Sequence, residues 1–305
     1  MRLKSFFVLG FLALVVSCAQ YETPTAPTAV KADRGNRVPV RFHNNSNISI
    51  STTRATGESF DMNDAIGIFV VNRGETKTDT LMDSGNYVDN LEYVCTGAGF
   101  EPVADSIWQY DKMSLDLVYY AIYPYNASQK PRFTFSARAD QSNHTDYTMS
   151  DLACQKKESK ERDVNLELKH MMSKIVVRLQ GDNIDISNIS VTLNDMRLNA
   201  DVDLNTMEVS ATGNASPSIK CEENTALRTP TERVFQAIIA PQILTTVSGL
   251  TIWSGTESKS ISLPRACRLA SGKQWTLSYE VDIDEGGDIF VNFGGDEEEG
   301  GQHVG

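Results

Sequence analysis

The sequence predicts an all-β protein made of two tandem β-sandwich domains, and three observations carry that prediction. Short apolar segments, alternating or continuous, recur along the chain, each bounded by Gly, Asn, Asp or Pro. Helical periodicity is nearly absent, and the one stretch that reads as a helical turn is Asp146 to Leu152. The 305 residues leave room for two sandwiches of about 100 residues each.

The first element is a leader. Arg2 and Lys4 precede an apolar run from Phe6 to Val16, which stops at Ser17-Cys18. A positive end, a short apolar middle and a small residue at the cut make a secretory signal, so residues 1–17 are expected to be removed. The run is shorter than the roughly 20 residues of a membrane-spanning helix. Val15-Val16-Ser17-Cys18 matches the bacterial lipobox, which makes Cys18 the expected lipidation site. Each acyl methylene buried in a membrane contributes about 0.8 kcal/mol. Residues 18–36, polar and bearing Pro24 and Pro27, read as a tether.

The N-terminal domain is expected over residues 37–170. Val38, Val40 and Phe42 take every second position, and Ile48 and Ile50 repeat the pattern after a polar turn. Ala65 to Val71 reads as a buried strand, Ser114 to Tyr123 as an aromatic-rich one, and Val164, Leu166 and Leu168 as an alternating one. The C-terminal domain is expected over residues 171–293. Its strands are Ile175 to Leu179, Ile184 to Leu193, Val202 with Leu204, Val234 to Ala240, Leu250 to Trp253, Ile261 with Leu263, and Trp275 to Ile283. The join falls near His170 to Lys174, and residues 294–305 form an acidic tail.

Composition narrows the function. A net charge of -12 argues against nucleic acid or anionic lipid as a partner. Cys95, Cys154, Cys221 and Cys267 allow one disulfide per half or four unpaired thiols, and their wide spacing does not indicate a zinc site. The four histidines are not at ligand spacing, and no nucleophile elbow, phosphate loop or zincin motif occurs, so neither an enzyme nor a cofactor is expected. Asp201 to Asn205 and Asp282 to Gly286 look like openings of calcium loops but lack the closing Glu. They read as strands with one wet face. The cluster Tyr119 to Tyr125 reads as core packing rather than a sugar platform.

Taken together, these residues resemble the fimbrillin superfamily, the pilins of type V pili and their minor components. The resemblance rests on the lipobox at Cys18, on Asp64-Ala65-Ile66-Gly67-Ile68-Phe69-Val70, and on Tyr119-Tyr120-Ala121-Ile122-Tyr123-Pro124-Tyr125. Its most specific part is Leu168-Lys169-His170-Met171-Met172-Ser173-Lys174-Ile175, to which Leu269-Ala270-Ser271-Gly272-Lys273-Gln274-Trp275-Thr276-Leu277 adds. It implies two transthyretin-like Greek-key sandwiches and a structural subunit of a cell-surface fimbria with a role in adhesion. Such a subunit reaches the outer membrane of a Gram-negative-type bacterium as a lipidated precursor.

The resemblance further implies that an Arg-specific, trypsin-like surface protease cuts a loop after the first strands. A C-terminal strand of a neighbouring subunit then fills the groove, and the open head-to-tail contact yields a filament. Here the expected cut is between Arg54 and Ala55, in a polar stretch, with Arg34, Arg37 and Arg41 as weaker alternatives. Residues 18–54 become the removable prosegment, with Val38, Val40 and Phe42 as its strand. The donor strand is sought in Thr276 to Phe293, at Asp288, Ile289, Phe290, Val291 and Phe293. Expected partners are other pilus subunits, the protease, the membrane through the lipid, and a host glycan or protein. The acidic residues after Phe293 depart from a simple stalk subunit, so stalk, tip and anchor stay open beside a non-polymerising surface lipoprotein.

Overall fold

The computed structural model describes residues 37–44, 60–97, 99–110, 115–181, 188–263, 267–284 and 288–299. Its first-half strands are β1 (Arg37–Pro39), β2 (Arg41–Asn44), β3 (Ala65–Asn72), β4 (Val88–Cys95), β5 (Phe100–Pro102), β6 (Trp108–Tyr110), β7 (Leu117–Tyr123), β8 (Arg132–Ser136), β9 (Ala153–Ser159), β10 (Asp163–Leu166) and β11 (Lys169–His170). The second half adds β12 (Ser173–Gln180), β13 (Ile189–Asn194), β14 (Met196–Asp203), β15 (Glu208–Ser216), β16 (Ile219–Lys220), β17 (Glu222–Glu223), β18 (Glu232–Ile239), β19 (Gln242–Ile243), β20 (Gly249–Ser254), β21 (Glu257–Ser262), β22 (Arg268–Leu269), β23 (Gln274–Ile283) and β24 (Ile289–Glu299). The protein is all-β, as the patterning predicts.

An eight-stranded sheet, in the order β10-β2-β5-β4-β3-β7-β9-β11, dominates the first half. Its middle strands β3 and β7 are almost wholly apolar because both of their faces are covered. Ile66, Ile68, Val70, Leu117, Tyr119, Ala121 and Tyr123 enter one hydrophobic cluster. The alternate residues Phe69, Val71, Val118, Tyr120 and Ile122 enter a second. A strand buried on both faces loses the polar half of its alternation, which is why the sequence shows a continuous run here. The aromatic cluster is therefore core: Tyr119, Tyr120 and Tyr123 are all buried.

The second cluster is closed by a five-stranded sheet, β17-β18-β12-β23-β24, and a four-stranded sheet, β16-β13-β20-β21. Ile175 and Val177 of β12 and Leu277 and Tyr279 of β23 meet Val191, Leu193, Leu250 and Ile252 of the other sheet in that cluster. The connection from β7 to β9 also belongs with it. β8 pairs antiparallel with β14, and Ala137, Tyr147 and Leu152 are buried in the second cluster.

Two local expectations come out differently in detail. The helical turn is α2 (His144–Thr148), begun two residues earlier because the Asn143 side chain caps it by accepting from the Asp146 N–H. A second short helix, α1 (Arg73–Thr76), caps in the same way on Asn72. The acidic residues after Phe293 are not all tail: a bulge at Gly294 lets β24 continue, and its ladder with β23 reaches Gln274↔Glu299. None of Cys95, Cys154, Cys221 and Cys267 is in a disulfide, and burial pushes the Cys221 thiol up to about 12. Asp201 and Asp203 accept from Thr134 and Arg132, and no metal-ligand cluster occurs among the described residues.

Candidate functional site

Two residues of the expected removable strand, Val40 and Phe42, belong to the first cluster. β1 pairs antiparallel with β6, Val38 opposite Gln109, and the Val40 N–H donates to the Ile107 carbonyl at 2.8 Å. β2 then pairs in parallel with β10, Phe42 opposite Val164, while on its other side it touches β5 at a single pair, Phe42↔Phe100. Val40 and Phe42 are buried and Val38 is half-buried. The Phe42 ring lies edge-on to Tyr93 at 5.1 Å and to Tyr119 at 5.6 Å between centroids. Edge-to-face rings add about 0.5 to 1.5 kcal/mol to their area burial.

The walls around Phe42 are tight on one side and polar on another. A Cβ on Gly99 would stand 2.4 Å from the Phe42 carbonyl oxygen, so only glycine lets the backbones approach this closely. Tyr93 accepts at its hydroxyl from the Ile107 N–H at 3.0 Å, and burial pushes that hydroxyl up to about 12. Burial raises the Tyr119 hydroxyl as well, and its oxygen has no hydrogen-bond partner among the described residues. At the rim, His43 lies 3.1 Å from Asp163, and that hydrogen bond chiefly holds the Asp163 carboxyl below its ordinary value.

Phe60, the first described residue after the break at 45–59, returns to the same cluster, edge-on to Phe100 at 5.0 Å and to Tyr123 at 5.4 Å. The cut expected between Arg54 and Ala55 lies outside the described residues, as does Cys18. Both described flanks of the cut, at Phe42 and Phe60, are thus anchored in one core. Arg37 and Arg41 lie inside β1 and β2. Sequence reasoning did not find Gly99, Tyr93 or Phe100 as the lining of this site. Gly97 and Gly99 were the available signal.

The expected donor residues lie on β24, at the edge of its sheet, paired with β23. Ile289 is buried and Val291 half-buried, whereas Phe293 is 53% and Phe290 54% exposed. Phe293 still touches Tyr279, with ring centroids 5.5 Å apart. Asp288 is exposed, just before the strand.

Comparison with known proteins follows the same architecture. The family model described as fimbrillin-like matches residues 53–292. Among solved structures, a proposed cell adhesion protein of Bacteroides uniformis is 16% identical, with a TM-score of 0.60 over 86% of this chain and 98% of its own. A proposed cell adhesion protein of Bacteroides ovatus is 17% identical, with a TM-score of 0.61 over 87% and 98%. At these identities the likeness is one of fold. Comparison with curated proteins gave no match.

Proposed function

The chain belongs to the fimbrillin-like family, and on that premise we propose that it is a fimbrial subunit with an adhesive role, exported as a lipoprotein through Cys18, cut after Arg54 and assembled by donor-strand exchange. The family is structural and acts at the cell surface, which agrees with the absence of catalytic motifs in the sequence.

The observation that carries the reading is the seat of Phe42. Loss of residues 18–54 would remove β1 and β2, separate β10 from β5 and leave both with unpaired edges around an apolar gap. Such a gap is an aggregation hazard until a strand fills it. The replacement strand has a matching pattern: Ile289, Val291 and Phe293 repeat the order and spacing of Val38, Val40 and Phe42. Main-chain bonds would then supply affinity and the alternate side chains specificity.

The test is to treat the purified precursor with a trypsin-like protease, sequence the new N-terminus and look for SDS-resistant ladders. A terminus at Ala55 with polymers is the expected outcome, and Arg54→Ala should abolish both. A second reading, a pilus anchor or solitary adhesin, is favoured by one feature: β24 is already paired with β23 as far as Glu299. A chain that is trimmed but stays monomeric, or that resists cutting, supports that second reading instead.

A further inference from the structure

Outside the strand-exchange site, the outward face of the sheet β16-β13-β20-β21 combines an exposed aromatic ring with an ordered set of neutral polar groups. The inward residues Ile189, Val191, Leu193, Leu250 and Ile252 are buried in the second cluster. By the two-residue alternation of strands, Ser190, Thr192 and Asn194 of β13, Thr251 and Trp253 of β20, and Ser258, Ser260 and Ser262 of β21 face outward, although Thr251 is itself buried and serves only to link its neighbours. The register places Thr192 opposite Thr251, Thr251 opposite Ser260, and Trp253 opposite both Ser190 and Ser258.

These side chains are organised across the strands. The Asn194 amide donates to Thr251 Oγ1 at 2.8 Å, and Thr251 Oγ1 lies 3.0 Å from Ser260 Oγ. The Trp253 Nε1–H donates to Thr192 Oγ1 at 3.3 Å, so the indole leans diagonally over the neighbouring strand instead of standing free. Trp253 is nonetheless 38% exposed, whereas Trp275 is buried. A single exposed apolar residue needs no explanation by itself. Here the ring is fixed by a hydrogen bond and bordered by hydroxyl and amide groups on three strands.

Two further facts set this face apart. In a chain of net charge -12, none of those outward positions on β13, β20 and β21 is ionisable. Lys220 of β16, opposite Thr192, is held by Asp140 at 2.7 Å. Serine also contributes little to strand formation, being neither β-branched nor aromatic. On β21, an edge strand, serines could serve only to discourage pairing. Asn194, a residue type depleted in strands, however lies on the interior strand β13. Such a departure from local preference is expected where function constrains the sequence.

We propose that this face, centred on Trp253, binds a neutral oligosaccharide. The indole face would take the apolar face of a sugar ring, and the hydroxyls and amide around it would take the sugar hydroxyls. That is the usual division of labour in a ligand site, with an apolar surface for contact and a few placed polar groups for orientation. Neutrality of the surface selects against charged ligands in favour of uncharged ones. The inference goes beyond strand exchange and does not depend on it.

The test is titration of the uncleaved full-length chain with maltoheptaose, cellohexaose and chitohexaose, followed by tryptophan fluorescence and calorimetry. Saturable binding of at least one of them is expected. Trp253→Ala should weaken it by about tenfold, the scale of one lost aromatic contact. Ser258→Glu, an exposed change beside the ring, should weaken it too, with circular dichroism unchanged for both variants. No binding of any of the three up to about 10 mM, well into the weak range, overturns the proposal. So does binding that Trp253→Ala leaves intact, or self-association through this face that Trp253→Ala abolishes without any response to sugar. Because cleavage is not involved, failure here and failure of assembly at Arg54 are separate results.

Discussion

Phe42 sits edge-on between two tyrosines, and the chemistry of those neighbours decides what each substitution does. Truncating Phe42 to alanine removes both ring contacts and leaves a cavity under β2. The uncleaved chain should lose about 3 to 5 kcal/mol in denaturant unfolding, the usual cost for a buried phenylalanine. Tyr119→Phe should act in the opposite direction. Its hydroxyl is buried without a partner among the described residues, and removing such a group recovers a desolvation cost of about 1 kcal/mol. If Tyr119→Phe destabilises the chain instead, the hydroxyl is being satisfied and the groove is less strained than this geometry implies. The same orphan group would be relieved when the groove opens, which lowers the cost of losing β2.

At the scale of elements, the two stretches that carry most of the family resemblance form a clasp. Ser173 Oγ donates to the Ala270 carbonyl at 2.7 Å, Ser271 Oγ to the Met171 carbonyl at 2.8 Å, and the Gly272 N–H to the Met172 carbonyl at 2.9 Å. Beside it, His170 lies 2.9 Å from Asp151. The clasp sets the start of β12 against the start of β23, which then run parallel from Lys174↔Gln274 onward. Gly272 is required there: its φ is +67°, and a Cβ would fall 2.7 Å from the His170 carbonyl oxygen. Gly85 has a similar φ of +79° with open space around it. Gly272→Ala should therefore lower stability by about 2 kcal/mol or more, Gly85→Ala by only the backbone strain of about 1 kcal/mol. Thermal melts of both variants check this, and equal losses would show that the clasp does not matter.

The same elements show what a sequence can and cannot carry. Alternation encodes the faces of a strand, so β10, with Val164 and Leu166 buried between exposed neighbours, and β14, with Asp201 outward beside buried Val202, were readable. It does not encode neighbours, so the parallel pairing of β2 with β10 and the crossing of β8 to β14 were not. The run in β3 identified a buried strand but not that its two faces belong to different clusters. β15 is polar along most of its length, with only Val209 and Ala211 packing against the second cluster, and its place comes mainly from its ladder with β14. The seat of Phe42 was half legible: the strand could be picked out, its walls could not.

For the whole molecule, the wall formed by β3 and β7 is shared by the two clusters, so loss of that wall uncovers both. Unfolding should then be a single transition, and its dependence on pH can be argued from the carboxylates that join distant segments. Asp79 is held below its ordinary value chiefly by Lys156, Asp116 by Arg73, Asp163 by His43, and Asp140, through Lys220, is lowered to about 2. A group whose pKa is lower in the folded chain than in the unfolded one stabilises the fold above its unfolded value. That contribution is lost as protons bind the unfolded chain more readily. The window therefore opens near 3.8, the ordinary carboxyl value, and closes near 2 for Asp140. These pairs lie at or near the surface, so each is screened by salt. The expected calorimetric profile is one transition whose midpoint changes little from about pH 7 to 5 and falls below about pH 4, with a shallower fall at high salt. Two separate transitions at neutral pH would mean that the β3–β7 wall does not couple the clusters. A midpoint that rises on acidification below about pH 4 would mean that relief of the net charge of -12 outweighs these pairs.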